Sequence, residues 1–181
     1  MIDWRVICAV FILSLWGCKP DFTAEKNAAS SLLNVLNNVE RNVQEIDARL
    51  IKQYINNVSE KCKKLQQETT DTLTLEDAQL LVDFCALDQH LQSCLHRKEL
   101  IDAEVVQTRT QLFNLKTDLE EGRPHKDSVN NYIEQEFLFV ESLDQSTEQI
   151  IAELNGCFNT YAELNEEIDR LLISLPNEVV E

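Results

Sequence analysis

Glycine and proline are nearly absent from this chain, with three of each in 181 residues. That scarcity excludes a collagen-like chain, a Pro-rich linker and a loop-rich disulfide scaffold. It also speaks against a nucleotide-binding fold, whose phosphate turns need glycines. Positive charge is scarce as well: 16 Lys and Arg face 32 Asp and Glu, a formal net charge of −16. Phosphate contact needs clustered basic residues, so nucleic acid is excluded as an expected partner. The sequence holds no Gly-x-Ser-x-Gly, no phosphate loop and no His-Glu-x-x-His. It also lacks the Glu-x-x-His pairs that hold metals inside four-helix bundles. The expectation is a single non-catalytic domain without a cofactor.

What is present begins with an address. Arg5 is followed by a mostly apolar run, Val6 to Trp16. Eleven residues are roughly half of the ~20 that a membrane-spanning helix needs, so the run reads as a secretory signal. It ends in Leu15-Trp16-Gly17-Cys18. This resembles the lipobox of bacterial lipoproteins, with an aliphatic residue three before the cysteine and a small residue just before it. Trp16 departs from that pattern, since its position is usually small, and Asp3 weakens the positive start. The resemblance implies cleavage after Gly17, lipid attachment at Cys18 and a place in the bacterial cell envelope. Lys19 rather than Asp after the cysteine resembles outer-membrane lipoproteins more than retained ones. Residues 1–17 would then be the signal peptide and 18–23 a lipidated N-terminus with a short tether.

Three long helices are expected to follow. No Gly or Pro occurs between Asp21 and Glu121; Gly122-Arg123-Pro124 then gives a helix stop. Thr69 to Thr72 is rich in weak helix formers, and Thr74-Leu75-Glu76-Asp77 resembles a capping box with Asp in the usual Glu position. Helices are placed at about 24–68, 74–121 and 127–175, with a tail at 176–181. In the third, a 3-4 spacing runs without a slip from Val129 to Leu175, broken in polarity only at Glu136 and Thr147. In the second, the seam from Leu80 to Leu119 is interrupted at Lys98 and Thr108. In the first, Leu32, Leu36, Val39, Val43, Ile46 and Leu50 keep register before the seam shifts toward Val58, Cys62 and Leu65. A sustained 3.5-residue period predicts left-handed coiled-coil packing, and short connections predict antiparallel neighbours. The fold class expected is an all-α, elongated, antiparallel three-helix bundle, similar to spectrin repeats in architecture alone.

Four cysteines remain after the signal: Cys62, Cys85, Cys94 and Cys157. An extracytoplasmic compartment permits disulfides. Residues level with each other across a hairpin lie equally far from its turn, which pairs Cys62 with Cys85 and Cys94 with Cys157. A 62–94 bond would be offset by roughly 20 Å along the axis, beyond a disulfide's span. Cys85 lies one position off its seam, so that pair is the less regular one. Cys85, His90, Cys94 and His96 look like four metal ligands in one short stretch, but helical rotation sends them to opposite sides. No metal site is expected there.

The third helix carries eleven acids against Arg170 alone, so its outward surface reads as strongly negative. If Cys18 is tethered, the turn at 122–126 returns to the membrane, where Lys19, Arg123 and Lys126 would meet anionic headgroups. At the far tip, Lys61, Lys63 and Lys64 are expected beside Glu163, Glu166 and Glu167, the first place to look for an envelope partner. The leading expectation is a lipid-anchored spacer or adaptor. The alternatives are a periplasmic ligand- or metal-binding helical protein and a surface lipoprotein that contacts other cells.

Overall fold

A computed structural model describes residues 21–68, 73–123 and 126–174 of the chain. The expected signal peptide, Cys18, Lys19, the Thr69–Thr72 turn and the 176–181 tail lie outside the described residues. Among the described residues four helices run in order: α1 (Thr23–Glu45), α2 (Ala48–Glu68), α3 (Leu75–Glu121) and α4 (Lys126–Ser174). They make three arms of one all-α bundle, the first arm being α1 and α2 together. At 1.5 Å per residue, α3 and α4 are rods of about 70 Å.

The direction of each arm follows from residues that meet across it. Glu40 pairs with Arg109 and Cys62 bonds Cys85, so the first arm and α3 run antiparallel. Arg97 meets Glu153, so α3 and α4 do too. Tyr54 stacks on Phe158 and Lys61 meets Asp169, so α2 and α4 run parallel.

The heptad seams are the core. Phe84, Leu87, Leu91, Cys94, Ile101, Val105, Leu112 and Leu119 of α3 are buried, as are Val129, Val140, Leu143, Ile150, Leu154, Cys157 and Ile168 of α4. The two polar interruptions are handled differently. Lys98 remains in the seam and reaches Asp102 at 2.6 Å, whereas Thr108 is fully buried and its Oγ1 has no hydrogen-bond partner.

The first arm is not one helix over 24–68. It breaks at Ile46 and Asp47 although neither Gly nor Pro is near. The Ile46 N–H donates to Val43 O and the backbone of Ile46 turns extended. Asp47 then starts α2, its Oδ1 accepting the N–H groups of Arg49 at 2.9 Å and Leu50 at 3.2 Å. A short acidic side chain that satisfies the first amides of a new helix competes with continuing the old one. The break adds a residue to the seam: Ile51 is buried, while Leu50, expected in the core, is 41% exposed.

Both long-helix boundaries carry clear caps. Thr74 Oγ1 accepts the Asp77 N–H at 3.1 Å and donates to Asp77 Oδ2, a variant of the box expected there. Gly122 ends α3 at φ 71°, a left-handed conformation that favours glycine, and the Arg123 N–H closes the turn on Asp118 O.

Candidate functional site

The far tip was expected to join Lys61, Lys63 and Lys64 with Glu163, Glu166 and Glu167. The structure divides these six. Lys61 is largely buried, and its Nζ donates to Asn165 Oδ1 at 2.6 Å and Asp169 Oδ1 at 2.5 Å. It bridges α2 to α4 and is not available as a docking group. Lys63, Lys64, Glu163, Glu166 and Glu167 are exposed. Glu167 lines a groove with Glu76, Asp77 and Arg170, on the side of α4 that faces α3. The physical reason is helical rotation: Lys61 meets the column that includes Asn165 and Asp169, which a count along the chain does not reveal.

Beside that bridge lies an aromatic contact between three arms. Tyr54 packs against Phe158 and Tyr161 with centroids 4.8 and 4.7 Å apart, and Phe84 reaches Tyr161 at 5.7 Å. Asn57 Nδ2 donates to Tyr161 Oη at 2.8 Å. Burial pushes the Tyr161 hydroxyl's pKa up, with the nearby Asp169 carboxylate adding to it. Sequence reasoning took Tyr54 only as a possible seam position and missed Asn57, Phe158 and Asn165; the 3-4 spacing of Tyr54, Asn57 and Lys61, matched 104 positions later by Phe158, Tyr161 and Asn165, was the available signal.

Of the two expected disulfides, Cys62–Cys85 is formed, with Cα atoms 5.9 Å apart. Cys94 and Cys157 are buried free thiols, so the second expected bond is not made. Cys94 Sγ is engaged at its flank instead, accepting from Arg97 Nη2 at 3.5 Å and lying 3.6 Å from Glu153 Oε2. Arg97 and Glu153 form an ion pair that closes over the thiol. Burial raises the pKa of both thiols, and the Arg97 guanidinium lowers that of the Glu153 carboxyl. Thiols held protonated under a salt bridge are poor nucleophiles and poor metal ligands. Among the described residues, no three His, Cys, Asp or Glu side chains converge to hold a metal ion.

The opposite end holds the residue that matters most for orientation. Phe22, expected in a short tether, is 1% exposed and packs with Leu119 and Val129 beneath the α3–α4 turn. Asp21 Oδ1 accepts from the Thr23 N–H at 3.0 Å and Thr23 Oγ1 at 2.6 Å, and Phe22 O accepts the Lys26 N–H at 2.9 Å. Among the described residues the bundle thus includes Asp21 and Phe22. Arg123 at the same end is held by Asp118 and Glu121, so its charge is compensated within its own turn.

Two further grooves open on the surface. One of about 300 Å³ opens at the α1–α2 break, lined by Ile46, Leu50, Ile51, Ile151, Leu154 and Phe158 among others. The other, of about 760 Å³, runs beside Cys157 between α3 and α4, with Asp83, His90 and Glu153 on its walls. No helix among the described residues is long and apolar enough to cross a membrane. No protein-family model, curated protein or solved structure matches the chain.

Proposed function

We propose that this chain is a lipid-anchored lipoprotein of the bacterial cell envelope, a non-catalytic helical spacer or adaptor. The observation that carries the reading is the burial of Phe22, four residues after Cys18 in the lipobox-like Leu15-Trp16-Gly17-Cys18. Lys19 and Pro20 alone separate the lipid-bearing residue from the folded bundle. Three residue steps of extended chain, from Cys18 to Asp21, reach about 10 Å, so an acylated Cys18 would hold the end of the bundle close to the membrane surface. The α3–α4 turn would lie beside it, and the tip of α2 and α3 would project about 70 Å away. The Cys62–Cys85 disulfide agrees with an oxidising compartment. The compensated charge of Arg123 leaves headgroup attraction to Lys19 and Lys126.

The experiment is substitution of the acylation site. Wild-type protein is expected to incorporate labelled palmitate and to sediment with membranes; Cys18→Ser is expected to lose the label and leave the membrane fraction. Unlabelled wild-type protein would overturn the reading. For the adaptor role, the tip residues Lys63, Lys64, Glu163 and Glu166 are the ones to change, with Lys61 left in place because it holds α2 to α4.

A further inference from the structure

The acids of α4 are not spread around it. One exposed column, Glu134, Glu141 and Glu148, is wholly acidic, with Asp144 next to it. On the other side, three adjacent columns that start at Ser128, Asn131 and Tyr132 contain no charged residue as far as Ala152. As far as Ala152, the outer surface of α4 expected to be strongly negative is thus negative on one side and neutral on the other. The neutral half adjoins α3, where the exposed columns starting at Leu100 and Ala103 are also uncharged through Thr117. The two stretches are level across the hairpin, and Gln107 and Gln111 share a groove with Gln135, Glu136 and Phe139. Glu104 stands on this face and Glu136 forms part of its floor.

The face is also apolar in places where solvent does not explain it. Tyr132, Leu138, Phe139 and Leu100 are 53%, 58%, 41% and 49% exposed. Depletion of charge together with aromatic side chains is the composition of an interface centre. We infer that this uncharged α3–α4 face is a homodimer interface, occupied by the same face of a second copy.

Charge selects that occupant. Two chains of net charge −16 repel wherever their acids meet, and on this face a second copy meets Glu104 and the half-buried Glu136 rather than the full acidic column on the other side of α4. A basic partner would be drawn to the Glu134–Glu148 column instead. Gln and Asn side chains carry both donors and acceptors, so a two-fold arrangement of them is self-complementary. About 26 Å of two adjacent helices gives roughly 500 Å² in projection, below the ~800 Å² per side of a standard interface. The dimer is accordingly a weak one.

The test uses the full chain in cells, with a benzophenone amino acid in place of Leu138 and, as the control, of Glu141. The expected result is a covalent adduct between two copies from position 138, mapped by mass spectrometry to α3 or α4, and little from 141. Leu138→Glu with Phe139→Glu brings like charges together and is expected to lower dimer formation, read from an exposed probe at Gln145, by about tenfold or more. Ser142→Glu, on an exposed small residue, gives the same test while every apolar side chain of the face stays in place. Retention of Cys62–Cys85 and of helix content shows that each variant is folded. An adduct with another protein, an adduct within one chain, or no adduct would overturn the proposal.

Discussion

The two ends of the bundle are held by different means. At the end with Phe22 and the α3–α4 turn, α1 packs on both α3 and α4, and aliphatic layers around Leu36, Val39 and Leu112 carry the structure. At the other end α2 packs on α3 but only lightly on α4. There the chain uses specific links: the Cys62–Cys85 bond, the Lys61–Asp169 bridge, the Tyr54–Phe158–Tyr161 contact and the Asn57–Tyr161 hydrogen bond. The break at Asp47 divides the two regimes. Where a helix loses one of its two neighbours, hydrophobic burial falls, and covalent and polar links take over the work of fixing position.

The largest break in this comparison should come from Phe22→Ala. It removes a fully buried aromatic at the end held by packing and is expected to cost about 3–4 kcal/mol. Denaturant unfolding measures the cost, and hydrogen exchange should rise in α1 more than in α2. Removal of the disulfide by Cys62→Ala with Cys85→Ala comes next. It frees a loop of separation 23 and is expected to cost about 3 kcal/mol, with exchange rising in α2 and not in α1. Equal loosening of both helices in either experiment would remove the distinction.

A smaller effect of opposite sign is expected from Thr108→Val. The buried hydroxyl has no partner, so an isosteric apolar group should stabilise by about 1 kcal/mol, read as a raised unfolding midpoint. A lowered midpoint would mean that the hydroxyl is satisfied.

The smallest effects sharpen the comparison through pH. Arg97 lowers the pKa of Glu153, so that group's contribution is present above the ordinary carboxylate range and is lost as pH falls through the lowered value. Burial raises the pKa of Glu136, so folding is penalised above the raised value and not below the ordinary range. Glu153→Gln should therefore destabilise at neutral pH, by less than about 1 kcal/mol because the pair is partly exposed. Glu136→Gln should stabilise at neutral pH, and its advantage should vanish near about pH 3. Thermal midpoints of both variants across pH check the two signs.

How much of this was legible in the sequence depends on how local each signal is. The α3 and α4 seams were readable because a 3.5-residue period sustained over some 45 positions has one geometric meaning, and Gly122 marked its own turn. The Cys62–Cys85 bond followed from level positions about a turn. The same reasoning gave Cys94–Cys157 and failed, because level positions do not decide where a side chain points, and Arg97 with Glu153 holds Cys94 at the flank. The α1–α2 break was visible only as a seam that shifts after Leu50, since Asp47 interrupts the helix without Gly or Pro. Lys61 was placed with the wrong acids because its partners are set by rotation between two helices 104 residues apart. Phe22 was legible as well, seven residues ahead of Ala29 in the series that continues through Leu36 and Val43, but the seam was read only from Leu32 onward.

The proposed function and the fold can be tested together: acylation is proposed at Cys18, and the bundle carries one disulfide and two shielded thiols. Intact mass of the full-length gene product, extracted from cells and alkylated under denaturing, non-reducing conditions, tests both in one spectrum. The expected chain begins at Cys18, bears acyl groups, and takes up alkylating reagent at two cysteines, Cys94 and Cys157. A chain that begins at Met1 or at another cut without acyl mass would contradict the anchor. Uptake at four cysteines after Cys18, or at none, would contradict the disulfide assignment.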